Sequence, residues 1–154
     1  MSYEIKMEDG EANYPEMKSL YMEHYAEMQH RCRAAGIHLG PYNPRLETYF
    51  AAAKGGWLLH FVVRTGEGVP VGYSNVYLTN DMHNGEFIAT EDTVFITKEH
   101  RKGIGRLLVK EILGELNRRG VKRFNVTAAT DPRATKLWQR MGFRLAGQAM
   151  TFIF

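Results

Sequence analysis

The segment from Val94 to Gly105 reads VFITKEHRKGIG and combines residue types that can bind an anion. An apolar strand turns through basic residues into a glycine pair that opens a helix. The first N–H groups of a helix lack intrahelical partners and lie at the positive end of its dipole, so the main chain itself can bind a phosphate. Gly103 and Gly105 lack the Cβ atoms that would keep phosphate oxygens away. The segment therefore predicts a pyrophosphate site, with added charge from Arg101, Lys102 and Arg106.

Two common nucleotide-binding motifs are excluded at this turn. A Walker A loop requires Gly-x-x-x-x-Gly-Lys-Ser/Thr, and the sequence contains no such run. A dinucleotide-binding fingerprint requires a third glycine three residues after the second, where this chain has Leu108. The glycine pair is a weak pattern by itself, so its interpretation depends on the rest of the chain.

A second segment, from Asp131 to Phe143, reads DPRATKLWQRMGF. It resembles the pattern Asn-x-x-Ala-x-x-Leu-Tyr-x-x-x-Gly-Phe of the GNAT superfamily of acetyl-coenzyme A-dependent N-acyltransferases. The earlier turn resembles motif A of that family, Gln/Arg-x-x-Gly-x-Gly/Ala after a strand. Two matches in family order are more specific than either alone, and the resemblance covers Tyr3 to Phe154. Three residues depart from the patterns: His100 replaces Gln or Arg, Asp131 replaces Asn, and Trp138 replaces a frequently catalytic Tyr.

The resemblance implies an α+β fold, with a mixed, mostly antiparallel twisted sheet of about six to seven strands flanked by about four helices. It also implies acetyl-coenzyme A as co-substrate and no metal. In the family, the strand before motif A splays from its neighbour, so that its main chain holds pantetheine and the following turn holds the phosphates. The residues implied to bind the coenzyme are Thr93, Val94, Phe95, Arg101, Lys102, Gly103, Ile104, Gly105, Arg106 and Asp131.

Hydrophobic periodicity and turn residues divide the chain into elements of the same kind. Strand and helix periods alternate over residues 86–128, which predicts a right-handed parallel crossover with the phosphate turn at the carboxyl end of a strand. Strands are expected at residues 3–7, 57–64, 71–79, 86–96, 124–128 and 149–154. Helices are expected at residues 15–33, from Asn43 and Pro44 to Gly55, from Ile104 to Gly120, and at 132–141.

The composition predicts one ordinary globular domain covering residues 1–154. Hydrophobic residues make up 44% of the chain and charged residues 24%, and no apolar run approaches the ~18 residues that cross a bilayer. The single cysteine, Cys32, excludes an internal disulfide, and the acidic N-terminal segment does not resemble a signal peptide. A cytoplasmic location is therefore expected. The net charge of +3 is too small to argue for nucleic-acid binding.

Acyl transfer to an amine requires a base, because an amine with a pKa near ~10.4 is mostly protonated at neutral pH. Glu91 and Asp92 form the acidic pair on the strand before the turn. Neighbours on a strand point to opposite faces, which predicts that only one of them faces the cleft. We choose Glu91, since the family often has a catalytic glutamate on this strand. Glu86, or water held by backbone carbonyls, is the alternative.

The proton donor for the leaving thiolate is less defined, because the indole of Trp138 is no general acid near neutral pH. Tyr73, Tyr77 or Tyr42 could replace it, although each fits a packing role better. His24 and Cys32 are expected to be ordinary helix residues, which predicts transfer without an acyl-enzyme.

The acceptor is left open by the sequence. In the family, the first two helices and the loop between them line the acceptor cleft, here about residues 24–50 together with the loop after Tyr77. Charges of both signs in this stretch do not choose between a protein N-terminus, a lysine, a polyamine, an aminoglycoside and a small metabolite amine. An N-acetyltransferase is the favoured function. The alternatives are a non-catalytic acyl-coenzyme A sensor and a nucleic-acid-modifying protein, and a homodimer stays open.

Overall fold

The structure is a computed structural model that describes residues 1–127 and 132–154. Within these ranges it contains five strands, four α-helices and a short 3-10 helix at Lys98–His100. The strands are β1 (Tyr3–Met7), β2 (Leu58–Thr65), β3 (Pro70–Asn80), β4 (Phe87–Ile96) and β5 (Arg123–Asn125). The helices are α1 (Gly10–Ala34), α2 (Leu46–Lys54), α3 (Ile104–Arg118) and α4 (Pro132–Arg140).

The strands form one mixed sheet in the order β1-β2-β3-β4-β5. Neighbours from β1 to β4 are antiparallel, whereas β5 is parallel to β4 and follows it through α3. The expected α+β architecture and its parallel crossover are confirmed. The β4–β5 pairing is short, from Ile88 opposite Arg123 to Thr90 opposite Asn125.

The closing strand expected at residues 149–154 is wrong, and the strand count is lower than the resemblance implied. A strand needs a ladder partner for its N–H and C=O groups. Among the described residues this segment has no strand pairing, and its large apolar side chains are exposed, Phe152 by 78% and Met150 by 92%. The apolar and aromatic composition of this segment was thus not enough to make it a strand.

Helices α1 and α3 pack on opposite faces of the sheet. Leu108 and Ile112 of α3 are fully buried in one cluster with Val63 of β2, while Met17 of α1 is buried in a second cluster with the neighbouring Val62. Adjacent residues of a strand point to opposite faces, so the two clusters lie on either side of the sheet. Replacing a buried leucine such as Leu108 by Ala would lower the free energy of unfolding by about 2–5 kcal/mol.

The start of α1 differs from the prediction, which began the helix near Pro15. Asp9 caps the helix instead, with its carboxylate accepting hydrogen bonds from the N–H groups of Glu11 and Ala12. Such a cap contributes about 1 kcal/mol and satisfies N–H groups that otherwise lack partners. Pro15 therefore lies inside the helix. Helix α2 begins at Leu46 rather than beside Asn43.

None of the helices in the described ranges combines the length and hydrophobicity needed to cross a membrane.

Candidate active site

The β4–β5 pair opens into a groove, because the two strands stop pairing after Thr90. We call this space, of about 610 Å³, the β4 groove. One wall is β4 from Glu91 to Ile96, which includes the predicted Thr93, Val94 and Phe95. The other walls come from α1 and α4, including Met28, Cys32, Leu137 and Trp138.

The predicted phosphate turn lies where β4 ends and α3 begins. Gly103 has a φ of 85°, a left-handed conformation that favours glycine, and it precedes the first residue of α3 without a side-chain cap. A Cβ added to Gly103 would meet nothing within 4 Å, so the space in front of the turn is open. The first N–H groups of α3, beginning at Ile104, therefore have neither an intrahelical partner nor a capping side chain. This geometry fits a bound anion.

The side chain of Arg101 is held within the protein. Its Nε donates to the Ile96 carbonyl at 2.8 Å, and its guanidinium forms two bonds of 2.7 and 2.8 Å with the Glu27 carboxylate of α1. It also lies 5.6 Å from the centre of the Phe95 ring. Arg101 thus fixes the turn against α1, while the exposed Lys102 and Arg106 add charge beside it.

His100 is also held by the protein. The Tyr3 hydroxyl lies 2.8 Å from His100 Nδ1, and the two rings meet edge to face. This contact ties the 3-10 helix to β1 and agrees with a structural role for His100. Asp131, predicted at the coenzyme, lies outside the described residues.

A β-bulge in β4 places both carboxylates of the acidic pair in the β4 groove. Asn75 of β3 pairs with Thr93 and the next residue of β3 pairs with Glu91, so Asp92 is an extra residue without a partner. The expectation that only one of the pair faces the cleft fails, because a bulge interrupts the two-residue alternation. Thr93 is bound on this side by Ser74, whose hydroxyl donates to its carbonyl at 2.7 Å.

Glu91 lies across the opening between β4 and the chain that follows β5. Its Oε2 accepts a hydrogen bond of 3.2 Å from the N–H of Thr127. Burial raises the pKa of the Glu91 carboxyl from 4.5 to about 7, against the lowering effect of that hydrogen bond. A group that titrates near neutral pH is suited to accept and release protons. The alternative, Glu86, is exposed and forms an ion pair with Arg123 at 3.3 Å.

A second cavity, of about 520 Å³, lies between α1, α2 and strands β2 to β4. We call it the aromatic cavity, because eight of its lining residues are Tyr or Phe. They are Tyr14, Tyr21, Tyr25, Tyr42, Tyr49, Phe50, Tyr73 and Tyr77. It overlaps in part with the expected acceptor cleft of residues 24–50, and the hairpin loop beyond Tyr77, which the structure describes, contributes no lining residue.

Asp92 is the carboxylate of the aromatic cavity. The Tyr49 hydroxyl donates to its Oδ2 at 3.0 Å, and the neighbouring Asn75 side chain also favours the carboxylate form. Although the side chain is accessible from the cavity, the surrounding protein desolvates it and raises the pKa of the Asp92 carboxyl above its usual 3.8.

A buried polar chain orients Asn75 towards Asp92. His60 Nδ1 lies 2.7 Å from the Asn75 carbonyl oxygen, which can only accept, so this nitrogen carries the proton. The Asn75 amide nitrogen is then left to donate. Burial lowers the pKa of His60, so the ring is neutral and its Nε2 can accept from the Tyr21 hydroxyl at 3.3 Å.

The two cavities meet at four residues, which line both of them: His24, Met28, Asp92 and Thr93. His24 is buried, stacks on Phe95 at a centroid distance of 4.8 Å, and shares a 2.6 Å hydrogen bond with the Tyr73 hydroxyl. Burial lowers the pKa of His24 to about 4, so the ring is neutral at pH 7.

Trp138 of α4 and Cys32 of α1 both line the β4 groove, although they lie far apart in the sequence. Trp138 is only 5% exposed and packs on Phe143, and its Nε1 has no hydrogen-bond partner among the described residues. That indole N–H is buried, and an indole can donate a hydrogen bond but is no general acid near neutral pH, which agrees with a packing role for the ring.

Several of these residues were not found by sequence reasoning. His60 and Asn75 are polar residues inside apolar strand runs, LLHFVV and GYSNVY, and they lie directly opposite each other on β2 and β3. A polar residue at such a position usually needs a buried partner, and that signal could have paired them. No comparable signal marks Tyr49, which reaches Asp92 from α2.

Comparison with known proteins agrees with this architecture. The profile of the acetyltransferase (GNAT) family matches residues 15–143. A search of curated protein sequences found no match. A Bacillus halodurans protein solved as a tetramutant aligns with a TM-score of 0.80 and 17% identity over 98% of this chain and 99% of its own.

Two further solved structures are acetyltransferases. A ribosomal-protein-alanine N-acetyltransferase from Brucella melitensis biovar Abortus aligns with a TM-score of 0.74 and 15% identity, covering 100% of this chain and 99% of its own. An aminoglycoside acetyltransferase from an uncultured soil metagenomic sample aligns with a TM-score of 0.75 and 17% identity over the same shares. At such identities the likeness shows a shared fold.

The order of the sheet, the opening between β4 and β5 and the uncapped start of α3 agree with an acyltransferase of this family. The chain belongs to the GNAT acetyltransferase family, as the match over residues 15–143 shows. That family generally uses acetyl-coenzyme A and acts on amine acceptors.

Proposed function

We propose that the protein is an N-acetyltransferase that transfers an acetyl group from acetyl-coenzyme A to a primary amine, and that residues 1–154 act as one domain. The observation that carries the proposal is the junction of two cavities at Asp92 and Thr93, beside Glu91. One cavity ends at an anion-binding turn and the other is closed by aromatic rings. Two substrates that enter separately can therefore meet at one place.

The β4 groove supplies the contacts that fit the coenzyme. The N–H groups at the start of α3, with Lys102 and Arg106 beside them, would hold the phosphates. Thr93, Val94 and Phe95 of β4 would line the pantetheine arm, with the Trp138 ring as part of the opposite wall. Preorganised donors of this kind are usually the largest catalytic contribution.

Glu91 is the proposed base, and Asp92 is the proposed binding group for the amine. A base with a pKa of about 7 is better matched to neutral pH than an ordinary carboxylate. When bound, the coenzyme supplies the acyl carbon, whose bond to sulfur breaks as its bond to the amine nitrogen forms. The proton of the amine passes to Glu91 directly or through water, and the electron pair leaves with the thiolate.

No acyl-enzyme is part of this proposal, and transfer occurs with both substrates bound. Cys32 lies in the β4 groove wall, but the structure gives it no hydrogen bond to a base among the described residues, as a nucleophile would require. The thiolate is a tolerable leaving group because its pKa is near ~8.5. Burial raises the pKa of Tyr73, so its hydroxyl stays protonated at the junction.

The test is a panel of amines with acetyl-coenzyme A, followed by release of the free thiol. Turnover with at least one amine is the expected result, together with saturable coenzyme binding. Coenzyme binding without turnover across the panel would favour a non-catalytic acyl-coenzyme A sensor, for which the replacement of Tyr by Trp138 is the supporting observation. Absence of coenzyme binding at millimolar concentration would reject both functions. The cytoplasmic location stays a prediction.

A further inference from the structure

The aromatic cavity is nearly uncharged. Burial lowers the pKa of both lining histidines, His24 and His60, so both rings are neutral at pH 7. Of the described lining residues, only Asp92 and Arg45 then carry a formal charge. Arg45 is exposed at the start of α2, so its charge lies at the rim, whereas Asp92 lies at the junction with the β4 groove.

The walls of the cavity are aromatic rings in mutual contact. Tyr21 and Tyr73 meet at a centroid distance of 4.7 Å, and Tyr14 contacts Phe50 at 6.1 Å. Such rings bury apolar surface and attract a cation over their faces. Because burial also raises the pKa of Tyr21, Tyr49 and Tyr73, their hydroxyls stay neutral.

Asp92 is a prepared anchor for a single ammonium group. Tyr49 holds its carboxylate through a hydrogen bond, and the Asn75 side chain beside it is fixed by His60. An ammonium bound there lies beside Thr93 and Glu91, at the boundary shared with the β4 groove. A second ammonium on the same ligand would find no second carboxylate among the described lining residues, and it would be repelled by Arg45 at the rim.

We propose that the acceptor is a small primary monoamine carried on an aromatic or similarly apolar body, with its ammonium at Asp92 and its body among the tyrosine rings. This inference rests on the proposed function, because it identifies the substrate class of the same site. It excludes two of the acceptor classes that the sequence left open. Polyamines and aminoglycosides carry several charges that this cavity cannot pair.

The test is a calorimetric titration of the protein, saturated with coenzyme A, by phenethylamine, spermidine, kanamycin and an alanyl peptide. Coenzyme A carries no acyl group, so binding is measured without transfer. Phenethylamine is expected to bind at least about tenfold more tightly than each of the others, since burying one further polar or charged group of the ligand without a partner costs that factor or more. Tighter or equal binding of any of the other three, or no saturation by phenethylamine at millimolar concentration, would overturn the proposal.

Variants locate the anchor. Asp92→Asn should weaken phenethylamine binding by about tenfold to a hundredfold while coenzyme A binding is unchanged. The matched control is Glu47→Gln, which removes an exposed carboxylate from α2 outside the cavity lining and should leave the affinity as it is. Tyr49→Phe keeps the ring but loses the hydroxyl that holds Asp92, and we expect an intermediate loss. Equal affinity of Asp92→Asn and wild type would refute the anchor.

Thiol release with acetyl-coenzyme A separates this inference from the proposed function. Phenethylamine binding without thiol release would leave the substrate class standing and reject the transferase function. Thiol release that is fastest with spermidine or kanamycin would keep the transferase function and reject the monoamine.

Discussion

Replacing Glu91 by Gln should stabilise the protein above neutral pH while it slows catalysis. Burial raises the pKa of the Glu91 carboxyl from 4.5 to about 7. Between these values the folded protein binds more protons than the unfolded chain, so this group makes stability fall as the pH rises from 4.5 to about 7. The full pKa difference corresponds to about 3 kcal/mol, an upper limit because the side chain stays partly accessible to solvent.

Gln is a close replacement, because it has the same length and can still accept the 3.2 Å hydrogen bond from Thr127. It lacks the charge, so the variant should gain up to about 3 kcal/mol of unfolding free energy near pH 8 and little near pH 4.5. In a chain of this size each kcal/mol raises Tm by roughly 2–4 °C. Thermal unfolding of both proteins at the two pH values measures this difference.

The same variant should lose turnover by a factor of about 10²–10⁴, the usual contribution of a positioned base. Coenzyme A affinity should stay unchanged, and the rise of kcat/KM towards alkaline pH should flatten. Asp92→Asn is the comparison, since it should mainly raise KM for the amine. A Glu91→Gln protein that loses both activity and stability at pH 8 would show that Glu91 is structural. Full activity would show that another group takes the proton.

Three further predictions concern the turn, the thiol and the buried histidine. Gly103→Val should weaken coenzyme A binding and lower stability. Gly120→Val is the control, because Gly120 has a φ of 80° just after α3 and its replacement should lower stability alone. Equal coenzyme A affinities of the two variants in a titration would contradict the assigned turn. Cys32→Ala should keep most thiol-release activity, and mass spectrometry that finds an acetyl group on Cys32 would reject direct transfer. Because burial lowers the pKa of His24 to about 4, the wild type should lose stability as the pH falls from 6.5 towards 4, and urea titrations of His24→Asn should show a weaker loss over this range.

The sequence predicted those parts of the fold that depend on local patterns. The β4–α3–β5 crossover follows from hydrophobic periodicity around Gly103 and was confirmed. The start of α1 was misjudged, since the Asp9 cap lies six residues before the proline at which the helix was expected to begin. A proline and a capping side chain are competing signals for the first residue of a helix, and here the Asp9 cap sets the start of α1.

The arrangement of the site depends on contacts between distant residues, which one sequence does not contain. The bulge at Asp92 is set by the register of β4 against β3, so period-two reasoning placed Asp92 and Glu91 on opposite faces. Asp92 becomes part of the aromatic cavity only because Tyr49 arrives from α2 and Asn75 from β3. The prediction of a closing strand at residues 149–154 failed for the same reason, since the composition of a segment cannot supply a ladder partner.

Arg101 connects the proposed coenzyme site to the proposed amine site, so we expect binding at one to depend on binding at the other. Its bonds to Glu27 and to the Ile96 carbonyl connect α1 to the turn, and α1 also carries His24 and Met28, which border both cavities. A shift of the turn on coenzyme binding would therefore be passed to one wall of the aromatic cavity. Thermodynamic linkage requires the effect to be mutual: the factor by which coenzyme changes amine affinity equals the factor by which amine changes coenzyme affinity. Breaking the ion pair between Arg101 and Glu27 would bring both factors closer to a value of one, which means no coupling.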